Sequence, residues 1–381
     1  MPEHHFGPEE IRGRFLLEAE MTDEYYMRHA LSLAVRGEGW TSPNPMVGAV
    51  IVKDGEIIGE GWHARRGELH AERNALTNCK ADPAGATIYV TLEPCCHYGR
   101  QPPCTDALLD AGIARVVVGS GDPNPLVAGK GIAILREHGV AVTEHVLEDE
   151  CRAINEVFFH YITTKMPFVA LKYAMTLDGK IAAYTGASKW ITGEAARERV
   201  HHLRNRYRGI MCGVGTVLAD DPMLTCRIPG GRDPVRIVCD DHLRTPLGSN
   251  LVRTARETPV ILATVCADEA KWAPYIDAGC EVICVPGEDG RVDLKSLMSE
   301  LAAREIDGVL IEGGGTLNWS ALAAGIVKKA YVFVAPKMLG GATAKSPVGG
   351  TGFASPDEGA HFAIQRTERL GDDILIECGV K

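Results

Sequence analysis

The stretch Thr87-Ile88-Tyr89-Val90-Thr91-Leu92-Glu93-Pro94-Cys95-Cys96-His97-Tyr98-Gly99-Arg100-Gln101-Pro102-Pro103-Cys104 decides how the first half of the chain folds. Thr87 to Leu92 reads as a buried strand, and Thr105 to Ala111 beyond the last cysteine as a helix. Upstream, Ala71 to Cys79 is helical and Val47 to Val52 is a strand. Lys53-Asp54-Gly55 turns that strand into its hairpin partner, Glu56 to Gly61. Asp23 to Arg36 is an amphipathic helix, with Tyr26, Ala30, Leu33 and Ala34 on one face. Downstream, Arg115 to Gly119 adds a strand. The order β-β-α-β-α-β predicts a mixed sheet with helices flanking its faces.

A helical run, Glu150 to Tyr161, ends near Thr163-Thr164-Lys165-Met166-Pro167, and a strand, Phe168 to Tyr173, begins there. Strands over Gly209–Val214, Val235–Cys239, Val260–Ala263, Glu281–Val285, Val309–Ile311 and Ala330–Val334 alternate with helices, which implies a second open α/β sheet. The predicted organisation is an extension over 1–21 and domains over 22–165 and 166–381.

A chain of 381 residues, 45% hydrophobic and 24% charged, suits two globular cores. Its net charge of −10 weighs against a sequence-blind grip on nucleic acid. No apolar run is long enough to span a bilayer. Met1 to Glu20 lacks a basic segment followed by an apolar one, so no secretory signal is expected. The twelve scattered cysteines then read as reduced thiols in the cytoplasm, some of them available to a metal.

His70-Ala71-Glu72, Pro94-Cys95 and Cys104 carry the chemistry. A zinc deaminase needs three protein ligands, an open fourth position for water, and an acid/base that is not a ligand. His70 with Cys95 and Cys104 supplies the three, and Glu72 supplies the carboxylate that moves protons between water, ring nitrogen and departing ammonia. Eight residues separate the two cysteines, longer than the usual Pro-Cys-x-x-Cys. Cys96 or His97 therefore competes locally as a ligand, and a closed structural zinc site or metal-free buried cysteines remain alternative readings. Asn44, in a Pro-rich turn, reads a ring edge or caps the turn. His63 contacts substrate or ends the hairpin.

In the second half, Ile311-Glu312-Gly313-Gly314-Gly315-Thr316 follows a buried strand and opens a helix, where glycines let the backbone approach a phosphate. It is not the dinucleotide fingerprint, and a tight turn is the plainer meaning. Arg204, in a basic helix from Arg197 to Arg208, either clamps a phosphate or lies on a solvated face.

Taken together, Ser42-Pro43-Asn44-Pro45, Gly61 to His63, His70-Ala71-Glu72 and Thr91 to Cys104 resemble the bacterial bifunctional riboflavin-biosynthesis deaminase/reductase family. The resemblance runs from about Thr22 to the C-terminus. It continues through Lys172 to Ile181, Ser188 to Thr192, Gly213 to Thr216, Asp220-Asp221-Pro222, Leu224 to Arg227 and Glu312 to Thr316. It implies a cytidine-deaminase-like domain followed by one similar in fold to dihydrofolate reductase, with Zn2+ and NADPH as cofactors. By resemblance, His70, Cys95 and Cys104 hold zinc, Glu72 carries protons, and Asn44 and His63 line the pyrimidine pocket. Ala174, Trp190, Thr216, Asp220, Gly314, Gly315, Thr316, Leu317, Asn318, Trp319 and Ser320 would hold NADPH. Ser188, Arg204, Leu224, Arg227 and Glu312 would face substrate, with Arg204 and Arg227 suited to its phosphate and Glu312 a candidate for proton movement.

The implied chemistry is hydrolytic deamination of 2,5-diamino-6-ribosylamino-4(3H)-pyrimidinone 5′-phosphate, then NADPH-dependent reduction of its ribosyl group to a ribityl chain. The expected partners are phosphorylated pyrimidines, with no nucleic acid and no membrane, and a homo-oligomer is expected. The rival reading is a tRNA-type base deaminase fused to a binding module. It would favour a basic groove and stacking aromatics, against −10 net charge and 6% aromatic residues.

Overall fold

The computed structural model describes residues 22–99 and 101–381, so the expected extension over 1–21 lies outside the described residues. The chain divides between Thr163 and Thr164 into two compact units.

The first unit contains strands β1 (Gly48–Lys53), β2 (Glu56–Trp62), β3 (Thr87–Leu92), β4 (Arg115–Ser120) and β5 (Ala141–Thr143). Its helices are α1 (Asp23–Ala34), α2 (Ala71–Thr77), α3 (Cys104–Asp110), α4 (Lys130–Glu137), α5 (Glu148–Ile154) and α6 (Glu156–Thr164). The sheet runs β2-β1-β3-β4-β5, antiparallel through β1 and parallel from β3 onward. Side chains alternate across β3. Ile88 and Val90 pack with Leu108 and Phe159 on one face, while Tyr89 joins Tyr26 and Met27 on the other. Helices thus cover both faces. The helix expected from Glu150 to Tyr161 is instead two, broken at Asn155. That buried amide is committed to the backbone of Met46, accepting from its N–H and donating to its carbonyl, both at 2.8 Å.

One close approach sets the position of α2. A Cβ on Gly61 would lie 2.2 Å from the Ala75 nitrogen and 2.6 Å from the Ala71 oxygen. Only glycine lets the helix rest directly on β2.

The second unit carries β6 (Phe168–Thr176), β7 (Gly209–Gly213), β8 (Val235–Cys239), β9 (Val260–Thr264), β10 (Glu281–Cys284), β11 (Gly308–Ile311), β12 (Val327–Ala335), β13 (Phe362–Leu370) and β14 (Asp373–Val380). Its helices are α7 (Glu194–Arg206), α8 (Val214–Asp220), α9 (Asn250–Arg253), α10 (Glu269–Ala278), α11 (Leu294–Ala303) and α12 (Gly315–Ala323). The sheet order is β10-β9-β8-β7-β11-β6-β12-β14-β13, parallel as far as β12 and closed by two antiparallel strands. Its central strands bury both faces, with Met211 and Ile237 on one side and Ile210 and Val238 on the other. That is why Val260 to Ala263 and Val309 to Ile311 read as continuous apolar runs, although Arg236 interrupts β8.

Candidate active sites

His70 occupies the N-cap of α2 in extended backbone, and Glu72 lies in the first helical turn. Cys95 follows β3, and Cys104 opens α3. The three ligand atoms lie within 4.8 Å of one another. His70 Nδ1 is 3.4 Å from each of Cys95 Sγ and Cys104 Sγ. Two donors on a tetrahedral zinc sit about 3.5 Å apart when one is nitrogen and the other sulfur. Both nitrogen–sulfur spacings match that value, so the donor set suits the ion.

Electrostatics agree. The Cys104 thiol and then the His70 ring hold the Cys95 thiol down at about 4, while Cys104 is pushed well up by its sulfur neighbour and by burial. Two thiols packed this closely resist ionising together, and a divalent cation between them would favour both as thiolates. Glu72 is buried, and burial followed by the Cys95 charge raises its carboxyl to about 7. A buried carboxyl raised in this way and standing beside the ligands is placed to take and return a proton.

Cys96 turns away, its Sγ 3.7 Å from the Leu126 carbonyl oxygen, and belongs to no metal-ligating group among the described residues. His63 and Asn44 meet. The His63 ring is buried and 5.4 Å from that of His70, edge to face, with Nδ1 3.0 Å from the Leu69 oxygen and Nε2 3.2 Å from Asn44 Nδ2. Donation from Nδ1 to Leu69 leaves Nε2 to accept from the Asn44 amide, and burial lowers the ring's pKa.

In the second unit a cavity of about 1340 Å³ lies at the ends of the parallel strands. It is lined by Ala174, Ser188, Trp190, Thr216, Asp220, Leu224, Arg227 and Glu312, and by Gly314, Gly315, Thr316, Leu317 and Ser320 of the turn and helix α12. Ligands of open parallel sheets settle at such strand ends. Gly315 admits a close backbone approach, since a Cβ there would lie 2.8 Å from the Ser346 oxygen and 3.0 Å from the Gly349 nitrogen, and the α12 N-terminus beside the cavity suits a dinucleotide phosphate. Two residues of the expected cofactor set do not line the cavity. The helical period turns Asn318 into the core, where Nδ2 donates to the Pro347 oxygen at 2.7 Å, and sends the Trp319 ring against Phe353.

Arg204 lines the cavity too, but its guanidinium is already engaged. Nε and NH2 donate to the two Glu312 oxygens at 2.7 and 3.0 Å, and NH1 donates to the Thr225 oxygen. It is thus no open phosphate clamp as it stands. Lys172 Nζ adds a third contact to Glu312 at 3.4 Å. Burial alone would raise the Glu312 carboxyl, yet Arg204 and Lys172 outweigh it and hold it at about 2. A group so firmly ionised is poorly matched to delivering a proton.

Known proteins share this two-part organisation. The family model for the RibD C-terminal domain matches residues 167–376, and that for the cytidine and deoxycytidylate deaminase zinc-binding region matches residues 20–120. The chain is 54% identical to riboflavin biosynthesis protein RibD of Actinobacillus pleuropneumoniae, over 94% of this chain and 95% of that protein. It is 40% identical to RibD of Escherichia coli, over 93% and 99%. The crystal structure of a diaminohydroxyphosphoribosylaminopyrimidine deaminase/5-amino-6-(5-phosphoribosylamino)uracil reductase from Thermotoga maritima superposes with a TM-score of 0.85 at 39% identity, covering 94% of this chain and 99% of that one. With two sites and two matching family models in one polypeptide, the chain belongs to the RibD family of bifunctional riboflavin-biosynthesis enzymes, a deaminase using zinc and a reductase using NADPH.

Proposed function

We propose that residues 22–165 deaminate diaminohydroxyphosphoribosylaminopyrimidine and that residues 166–381 reduce the ribosyl group of the resulting 5-amino-6-(5-phosphoribosylamino)uracil. The observation that carries the reading is the His70–Cys95–Cys104 triangle with the buried Glu72 beside it. Zinc, when bound, supplies a Lewis acid that brings the ionisation of water to about pH 7, and the nicotinamide of NADPH supplies a hydride. Glu72 takes a proton from the attacking water and gives it to the ring nitrogen, then takes the remaining hydroxyl proton of the adduct and gives it to the amino group, so that the C–N bond breaks and ammonia departs. Asn44 and His63, locked to each other, hold the pyrimidine edge.

In the reductase, Glu312 fixes Arg204 and Lys172, while Arg227 and Ser188 face the phosphorylated substrate beside Leu224. The open start of α12, from Gly314 to Ser320, receives the cofactor with Ala174, Trp190, Thr216 and Asp220. Asn318 and Trp319 brace that helix from behind. The enzyme works on small molecules rather than nucleic acid, in the cytoplasm, as a homo-oligomer.

The test is ammonia release from the diaminopyrimidine phosphate and from tRNA, followed by oxidation of NADPH or NADH. Release from the pyrimidine alone, then NADPH oxidation, is expected. Full ammonia release by metal-stripped protein would overturn the reading.

A further inference from the structure

Glu93 is a buried carboxylate in the turn between β3 and Cys95, only 4% exposed, and no ion pair reaches it among the described residues. Its charge is met by backbone alone. Oε2 accepts from the N–H groups of Asp122 at 3.4 Å and Gly129 at 3.0 Å, and Oε1 accepts from Gly131 at 3.0 Å and Ile132 at 3.3 Å. Two of these donors belong to the first turn of α4, whose N-terminus favours a negative charge. The nearby ammonium of Lys130 is directed to the Pro125 oxygen instead. Burying a carboxylate is costly unless its lone pairs are filled, and four directed donors fill them.

This contact binds the 122–132 segment to the peptide that carries a metal ligand. A Cβ on Gly131 would fall 2.2 Å from the Pro94 oxygen, so the segment lies directly against the residue before Cys95. The Cys96 thiol makes a further link to the Leu126 oxygen. On its other side, the Cys95 sulfur accepts from the Cys104 N–H at 3.3 Å. The Cys95 turn is thereby gripped from two directions.

We propose that Glu93 is a positioning residue of the deaminase: its clamp on the 122–132 segment presses that segment onto Pro94 and sets the angle at which the Cys95 sulfur meets the metal. The proposal rests on the zinc reading of His70, Cys95 and Cys104. Glu93→Gln keeps the shape but turns an amide donor toward N–H groups. Gly131→Ala pushes the same contact apart from the opposite side and leaves the carboxylate in place.

The experiment substitutes Co2+ into the full-length protein, records its thiolate charge-transfer and d–d bands, and times zinc release to a chelator below the melting temperature. Both variants are expected to shift the cobalt bands and to release zinc roughly tenfold faster than wild type. Melting temperatures are measured alongside, because a purely structural residue would lower them without moving the bands. Unchanged bands and release rate in Gly131→Ala, or in a folded Glu93→Gln, would overturn the positioning role. A wild-type protein without thiolate-to-cobalt bands would instead overturn the zinc reading beneath it.

Discussion

Glu72 does one thing its neighbours do not: it lies beside the ligands without being one, at a pKa near neutrality. Its removal should therefore separate metal binding from turnover. Glu72→Gln is expected to retain zinc, measured by metal analysis, while ammonia release falls about 10²- to 10⁴-fold, the usual worth of a positioned acid/base. At Glu312 the argument concerns stability. Its carboxyl is held at about 2, below its ordinary 4.5. A depressed carboxyl stabilises the fold fully above 4.5 and loses that contribution as pH falls through about 2. Glu312→Gln leaves the guanidinium of Arg204, only 14% exposed, without a counter-charge, and should cost about 3–5 kcal/mol at neutral pH. Denaturant unfolding across pH should show that difference flat above 4.5 and narrowing below it. A difference that widened on acidification would contradict the sign.

At the scale of elements, helix α2 is positioned by an absence. Gly61→Ala would drive a methyl into the backbone at Ala71 and Ala75. Overpacking of this kind costs about 1–3 kcal/mol, and here it also displaces the helix that begins at His70. A lower melting temperature together with reduced zinc content is expected. Elements made of short apolar and β-branched runs between turn residues are legible in the sequence, β3 and the central parallel strands above all. The hairpin of β13 and β14 lacks an apolar pattern in its first strand, because β13 is a polar, exposed edge strand whose pairing lies entirely with β14. Its signal was present in Gly371-Asp372, a two-residue turn between runs. Site residues followed the same division. His70, Glu72, Cys95 and Cys104 are set by short spacings. The resemblance assigns Asn318 and Trp319 to the cofactor site, and only the helical phase in the structure turns them away from the cavity. The contacts of Glu93 join residues roughly thirty to forty positions apart, and no local pattern encodes them.

At the scale of the molecule, two chemistries occupy two units that each bury their own apolar core. Val90, Leu108 and Phe159 belong to one, and Leu171, Ile237 and Ile311 to the other. The metal-ligating triangle lies wholly in the first unit, and the cavity with Glu312 lies wholly in the second. Units with separate cores respond separately to a change that strips a ligand from one of them. Chelation should thus end ammonia release from the diaminopyrimidine, while the same sample, supplied with the already deaminated pyrimidine, oxidises NADPH at its original rate. Calorimetry should show the loss confined to one transition, since the metal binds only the folded first unit. If NADPH oxidation fell in parallel with zinc content, the reductase would depend on the deaminase core, and independence of the two units would have to be abandoned.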